Sequence, residues 1–374
     1  MTLETMRTWA EIDLGNLEHN YRALRACAPN SKFLGVVKAN AYGHGAVPVA
    51  KKLEELGADY LAVACLNEAL ELREAGIEMP VLILGGTPPE LAELVVEHGI
   101  TQSVFTMELA QALSEAAAKR GVGAKIHVKV DTGMSRLGLL CHDPEACAAQ
   151  VDAICALPHL ETEGIFTHFA NADGDEEYTM LQFTRYLDLL EVLEKKYSRK
   201  FSIRHCAASA AVLNYPCTHL DMVRPGIALY GHYPDPSCEG LDGPGLLPVM
   251  TLKTRVAAVR DLPAHTPVSY GCTATFADGG GRVAVLPIGY ADGLHRVLSN
   301  EGSVFLAGQP RPIMGRVCMD MCMVGLDETA SVAVGDVAEI FGRNLPVERH
   351  AALAGTVQYE LLCAVSPRVP RVYL

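Results

Sequence analysis

From about residue 11 to residue 230, short apolar, β-branched runs alternate with stretches whose apolar residues recur at helical spacing, the pattern of strands and helices alternating around a parallel sheet. Eight such runs stand out: Phe33–Val37, Tyr60–Ala64, Val81–Leu84, Gln102–Phe105, Ile126–Val130, Gly164–His168, Ile203–Ala207 and Met222–Arg224. Helical patterns such as Met107–Arg120 and Glu176–Lys196 lie between them. Eight strands with intervening helices predict an α/β fold, a (β/α)8 TIM barrel over residues 11–235. An open doubly wound sheet would carry a glycine fingerprint after its first strand, and none is present. In a barrel the chemistry gathers at the C-terminal ends of the strands, so the residues just past each run are the ones to inspect. After residue 240 the pattern changes. A Gly/Pro-rich passage, Pro234–Pro248, leads into short alternating runs punctuated by Asp278-Gly279-Gly280-Gly281, Ala307-Gly308 and Val334-Gly335-Asp336. This predicts a second, mostly β domain over residues 236–374, to which residues 1–10 can add.

Composition narrows the partners. The 374 residues are enough for two packed cores, and the apolar share of 49% is that of a globular protein. The apolar runs are strand-sized, well short of the ~20 residues of a membrane span. The amino-terminal stretch is acidic and amphipathic rather than signal-like, and the twelve cysteines include no CxxC pair, so a cytoplasmic protein with free thiols is expected. Cys318 and Cys322 have no His or Cys partners at zinc spacing, and no metal site is expected. A net charge of −13 without a basic cluster excludes nucleic acid as a partner, but leaves room for local basic residues around one small phosphorylated ligand.

After the first barrel strand comes Val36-Val37-Lys38-Ala39-Asn40-Ala41-Tyr42-Gly43-His44-Gly45. A partly desolvated lysine at a strand's catalytic end has its pKa lowered towards the range where the amine is a nucleophile able to form a Schiff base. The same residue elsewhere would be a rim lysine reaching for water. The segment resembles the cofactor-lysine signature of the alanine racemases. The resemblance runs on in order through VDTGMSRLG (Val130–Gly138), THFANAD (Thr167–Asp173), HCAASAA (His205–Ala211), VRPGIALYG (Val223–Gly231), SYGCT (Ser269–Thr273), GYADG (Gly289–Gly293), GRVCMDMCMV (Gly315–Val324) and RVPR (Arg368–Arg371).

That resemblance implies a barrel followed by a β domain, a pyridoxal 5'-phosphate cofactor joined to Lys38, an amino-acid substrate, and a head-to-tail homodimer whose sites are completed by the partner. It implies interconversion of L- and D-alanine, with D-alanine supplied for peptidoglycan. Racemisation needs a proton removed from Cα on one face and returned on the other, hence two groups with usable pKa values. By resemblance these are Lys38 for the D-isomer and Tyr270 for the L-isomer. Tyrosine, with an ordinary pKa of ~10, needs support to act as a base, and His168 and Arg224 match the supporting positions. Arg224 also matches the residue at the pyridine nitrogen, where its retained proton would weaken the electron sink.

The matched phosphate positions are Tyr42, Ser209, Tyr359 and the amides of Gly226 and Ile227. Ser209 and Gly226 follow the seventh and eighth strands, where barrels generally build phosphate sites. Arg136 matches a contact to the cofactor's phenolic oxygen and to the substrate carboxylate, aided by the Met319 amide of the partner subunit. Lys129 matches a lysine often carbamylated, Asp320 a supporting position, and Asp173, Arg296 and Arg316 the polar approach corridor.

Two departures are visible: Ala208 stands where the family commonly has asparagine, and Ala274 where an aromatic often follows SYGCT. They bear on substrate choice, since serine racemases of the same family share almost all of these motifs. A non-catalytic pyridoxal-phosphate carrier is a competing reading, but would not need Tyr270 and Met319. A two-domain decarboxylase would place a carboxylate where Arg224 stands.

Overall fold

The computed structural model describes residues 2–240 and 243–374. The chain separates into two compact units. One is Leu17–Ala41 with Ala46–Leu247; the other is the chain up to Asn16, Tyr42–Gly45 and Pro248–Leu374.

An opening strand, Thr8–Ile12 (β1), belongs to the second unit. The first unit lays down eight parallel strands, β2 (Lys32–Val36), β3 (Tyr60–Val63), β4 (Val81–Ile83), β5 (Thr101–Val104), β6 (Ala124–Asp131), β8 (Leu160–Phe166), β9 (Ile203–His205) and β10 (Met222–Val223). The two-residue strand Leu139–Leu140 (β7) lies beside β6. Each strand pairs with its successor from β2 to β9, and β10 returns to pair with β2 through Met222↔Lys32 and Val223↔Phe33. Between β9 and β10 there is no continuous ladder, only the isolated bridge Ala208↔Arg224 and the bonds between Arg204 and Asp221, so the barrel is nearly closed. These are the strands the apolar runs predict. β3, β4 and β5 are buried along their whole length, because barrel strands face the core on one side and helices on the other.

The helices start and stop where side chains satisfy their end groups. In Met107–Arg120 the Thr106 hydroxyl accepts from the Leu109 amide, and Gly121 closes the helix with left-handed backbone. In Glu176–Tyr197 the Asp175 carboxylate accepts from the Tyr178 amide. Alternation along β6 puts Ile126, Val128 and Val130 on one face and His127, Lys129 and Asp131 on the other. The second set meets rings from other strands: His127 lies 5.0 Å from His205, and the Lys129 ammonium 4.9 Å from the centre of the Phe166 ring.

The second unit is mostly β, as its alternating pattern predicts. Its six-stranded sheet runs Gln309–Pro312, Ser303–Leu306, Val337–Phe341, Met250–Arg255, β1 and Arg371–Tyr373, and a three-stranded sheet joins Ala258–Leu262, Gly281–Leu286 and Cys322–Leu326. β1 pairs antiparallel with Met250–Arg255 and parallel with Arg371–Tyr373, tying both chain ends into this sheet. Two short helices, Val347–Ala354 and Gln358–Ala364, lie between the strands Val337–Phe341 and Arg371–Tyr373. No helix among the described residues is long and apolar enough to cross a membrane.

Candidate active site

Lys38 opens a turn of unusual backbone at the C-terminal end of β2. Ala39, Asn40 and Ala41 all take left-handed helical angles, with φ of 52–53° and ψ of 47–51°, and Tyr42 follows at φ 53°. Such angles cost roughly 1–2 kcal/mol per residue, so the surroundings must impose them. They do so through hydrogen bonds. The Ala41 amide donates to the Val37 carbonyl at 2.8 Å, the Ala46 amide to Asn40 Oδ1 at 2.8 Å, and the Ala39 amide to Glu68 Oε1 at 2.7 Å. The other Glu68 oxygen accepts from the Ala64 amide at 2.7 Å, so one carboxylate ties together the chain leaving β2 and β3. Lys38 is left half-buried at the rim.

Around it the barrel gathers cations. Arg224, just past β10, is buried: Nη1 donates to His205 Nδ1 at 2.9 Å, and Nη2 to the carbonyls of Thr167 at 2.9 Å and Cys206 at 3.1 Å and to His168 Nδ1 at 3.3 Å. Burial pulls its pKa down to about 10, which leaves the guanidinium charged at neutral pH. Its Nε–H has no acceptor among the described residues. Lys129 is buried as well, and desolvation together with Arg224 and Arg136 brings its ammonium down to about 7. Burial, then Arg224, Lys129, Arg136 and Lys38, hold the His168 imidazole well below its ordinary range. His168 is therefore neutral, and because Nδ1 accepts from Arg224, Nε2 carries the hydrogen.

The loop that presents Arg136 is built by Asp131, whose carboxylate accepts from the amides of Gly133, Met134 and Arg136 at 2.8–3.1 Å. Burial would raise the Asp131 carboxyl, but these amides outweigh it and keep the carboxylate ionised. Gln182 braces the neighbouring loop, donating to the His168 carbonyl and the Thr132 hydroxyl and accepting from the Ala170 amide.

Ser209 is buried and its Oγ accepts from the amides of Gly226 at 2.9 Å and Ala228 at 3.3 Å. With both acceptor positions taken, the hydroxyl hydrogen is the group it has to offer, which suits an anionic ligand. In the other unit Tyr42 and Tyr359 come within 6.1 Å ring to ring, and burial raises the Tyr42 hydroxyl, keeping it a donor at neutral pH. The intervening turn is fitted closely: the Gly43 carbonyl accepts from Arg371 Nε at 2.9 Å.

Tyr270 lies on an exposed turn of the β unit, 72% exposed, between Ser269 at φ 66° and Gly271 at φ 75°. Its backbone is braced on the next loop, because the Ser269 hydroxyl donates to the Arg316 carbonyl at 2.6 Å and the Gly271 backbone lies against the Arg316 guanidinium. That loop continues to Met319, 54% exposed, and Asp320, which pairs with Arg368 Nη2 at 2.6 Å. Arg368 Nε and Arg7 in turn hold the buried Asp292 at 2.7 Å each. The GYADG, GRVCMDMCMV and RVPR segments thus meet through one ion-pair network. Asp173 and Arg296 lie on the surface, and their side chains make no hydrogen bond or ion pair among the described residues.

The barrel therefore brings Lys129, Arg136, His168 and Arg224 together near Lys38, and the β unit sets Tyr270, Arg316, Met319 and Asp320 on adjacent loops. Sequence reasoning did not single out Glu68, Gln182 or His205. The first two look like ordinary helix-surface residues, and His205 was visible only as the first letter of a motif.

Comparison with known families decides the assignment. The N-terminal domain description of alanine racemase matches residues 12–234, and the C-terminal domain description matches residues 249–373. The chain belongs to the alanine racemase family. An alanine racemase of Desulforamulus reducens is 47% identical over 371 residues, 98% of each chain. Among solved structures, alanine racemase from Clostridium difficile matches with a TM-score of 0.93 at 39% identity, over 99% of this chain and 96% of that one. Alanine racemase from Streptomyces coelicolor matches with a TM-score of 0.93 at 36% identity, over 99% of both. A Clostridium difficile structure in complex with cycloserine matches at a TM-score of 0.91, 39% identity and the same coverage as the first. Alanine racemases are isomerases, and these relatives match both units of the chain.

Proposed function

We propose that this chain interconverts L- and D-alanine with pyridoxal 5'-phosphate, using Lys38 and Tyr270 as the two proton-transferring groups in a homodimer with shared sites. The observation that carries the reading is Arg224: a buried, charged guanidinium whose Nη atoms are all engaged while Nε makes no hydrogen bond among the described residues, where a decarboxylase of similar plan would carry a carboxylate. The barrel's donor set fits the cofactor, with Arg224 for the ring nitrogen and the Ser209 hydroxyl for the phosphate; by family match the Ile227 amide and the Tyr42 and Tyr359 hydroxyls would join them, and the Gly226 amide would have to turn from Ser209 Oγ to the anion. When bound, pyridoxal phosphate joins the substrate amine and draws the electron pair away from Cα.

Lys38 takes or returns the Cα proton on one face and Tyr270 of the partner subunit does so on the other. His168, neutral with hydrogen on Nε2, can donate to that phenol oxygen and stabilise its deprotonated form, which turns an ordinary tyrosine into a usable base. Arg224 keeps its proton while holding the ring nitrogen, so charge at Cα is only weakly stabilised and side reactions have little time to occur. Arg136, with the Met319 amide of the partner subunit, binds the carboxylate. Lys129, near half-neutral at pH 7, is poised to capture carbon dioxide as a carbamate, whose negative charge would hold Arg136 in place. Asp320 braces its loop through Arg368, and Asp173, Arg296 and Arg316 line the approach. The cellular role is cytoplasmic supply of D-alanine for cell-wall peptidoglycan.

The test is conversion followed by chiral chromatography, on L-alanine and L-serine in parallel. D-alanine is expected to accumulate to equal parts with L-alanine, with serine at least roughly tenfold slower. Cofactor bound to Lys38 without D-alanine formation, or serine turning over faster, would overturn the reading.

A further inference from the structure

Beneath Arg224 the barrel interior carries an unbroken polar line. His205 Nδ1 accepts from Arg224 at 2.9 Å, His205 Nε2 lies 2.9 Å from His127 Nδ1, and His127 Nε2 lies 3.3 Å from Glu163 Oε2. The Tyr60 hydroxyl donates to the same carboxylate oxygen. Both imidazoles are fully buried, whereas the Glu163 side chain is 25% exposed. The local backbone is shaped for this arrangement. The pairing of β6 with β8 slips between Ile126 and His127, which face Thr162 and Gly164, so Glu163 is an extra residue bulged out of β8 and aimed at His127. A Cβ on Gly164 would stand 2.6 Å from His127 Nδ1, so the imidazole occupies space that only glycine leaves.

The line has one polarity. Arginine can only donate, so His205 Nδ1 must be bare and His205 Nε2 must carry the hydrogen. That hydrogen needs an acceptor, so His127 Nδ1 is bare and His127 Nε2 carries the hydrogen in turn. The last hydrogen ends on a carboxylate, which only accepts. Burial keeps both imidazoles from charging, and the hydrogen bonds from His127 and Tyr60 hold the Glu163 carboxyl below its ordinary range. Two neutral imidazoles alone could hydrogen-bond in either direction, so the groups at the two ends decide. His205 is the partner of Arg224 Nη1, while the other three hydrogen bonds of the guanidinium all leave from Nη2.

We propose that Glu163 is a positioning residue for the reaction: acting through His127 and His205, it keeps His205 Nδ1 bare towards Arg224 and so fixes the guanidinium that faces the cofactor ring. Without it, the buried His127 Nε2–H loses its acceptor. Moving that hydrogen to Nδ1 satisfies His127 but sets hydrogen against hydrogen at His205, and reversing the whole line would point a hydrogen at Arg224. The consequence for the reaction rests on the reading of Arg224 given above, whereas the order of hydrogens along the line does not.

The test is long-range ¹⁵N NMR of histidine-labelled full-length protein without cofactor, with His127 and His205 assigned by substitution. Both rings are expected to be neutral with hydrogen on Nε2. Glu163→Ala should disturb that state at His127 and lower kcat roughly tenfold at similar KM, the loss of one buried hydrogen bond. Glu163→Gln, which keeps an acceptor oxygen, should restore both readouts. A wild-type ring with hydrogen on Nδ1, a Glu163→Ala protein with unchanged rings, or changed rings with unchanged kcat would each overturn the proposal. The wild-type spectrum decides the polarity even if Glu163→Ala does not fold. Correct tautomers in a protein that binds no pyridoxal phosphate would instead overturn the reading of Arg224.

Discussion

Arg224 and Lys129 are two buried cations in one corner of the barrel, and they respond to burial differently. Arg224 spreads its charge over four hydrogen bonds and stays protonated near neutrality. Lys129 lies over the Phe166 ring and yields its proton near pH 7. Because its folded pKa lies below the unfolded value, the unfolded chain binds more protons between about pH 7 and 10.5. Stability is therefore lower at neutral pH and rises as pH rises through that window, by up to about 1.4 kcal/mol per pH unit for this group. In bicarbonate-free buffer, thermal melts of wild type should gain stability from pH 7.5 to 9.5 relative to Lys129→Met. Parallel pH curves for the two proteins would show that Lys129 does not titrate in this range. At this scale the sequence was informative about the groups a motif names, Lys38, Arg136, His168 and Arg224, because their neighbours in the chain identify them. Glu68 reaches Ala39, Gln182 reaches His168 and Glu163 reaches His127, which lie 29, 14 and 36 residues away, and no local pattern marks such contacts.

At the scale of elements, the run from Lys38 to Gly45 shows how local backbone and packing divide the work. Ala39 and Ala41 adopt left-handed angles as alanines, so positive φ alone does not demand glycine here. Gly43 is different: at φ 84° a Cβ would stand 2.3 Å from the Leu362 carbonyl oxygen, which is backbone and cannot swing away. Gly43→Ala should therefore cost about 2–4 kcal/mol in denaturant unfolding and disturb the Tyr42 turn. A cost under about 0.5 kcal/mol would mean that the helix bearing Leu362 moves freely. The barrel strands were legible because burial on both faces leaves continuous β-branched runs, and the helices because their caps and apolar spacing agree. The β unit was legible only in outline. Its short strands, Pro267–Val268 and Ala274–Thr275 among them, are set by pairing across turns rather than by their own composition.

At the scale of the whole molecule, the large exposed side chains Tyr270 and Met319 stand out on loops braced by strained backbone and an ion-pair network, an arrangement that a lone chain has no evident use for. If sites are shared between subunits, Lys38→Ala and Tyr270→Ala chains are each inactive, but a mixed dimer carries one intact site. Unfolding and refolding equal amounts together should restore about a quarter of wild-type activity, from half of the dimers with one working site of two. No recovery, with mixed dimers shown by mass spectrometry, would place Lys38 and Tyr270 in the same chain's site. The two-unit plan was readable from the change of pattern after residue 240, whereas the proposed dimer rests on resemblance, since periodicity within one chain carries no record of a second.

The most direct test of the two-base account follows the Cα proton itself. Holoenzyme in ²H₂O is given L-alanine and the Cα signal is followed by ¹H NMR in wild type, Lys38→Ala and Tyr270→Ala. Wild type should form D-alanine carrying deuterium at Cα, while both variants lose racemisation by at least roughly 10²-fold. D-alanine that keeps its original proton from the first turnovers, or a Tyr270→Ala enzyme that racemises at the wild-type rate, would contradict transfer between two groups on opposite faces.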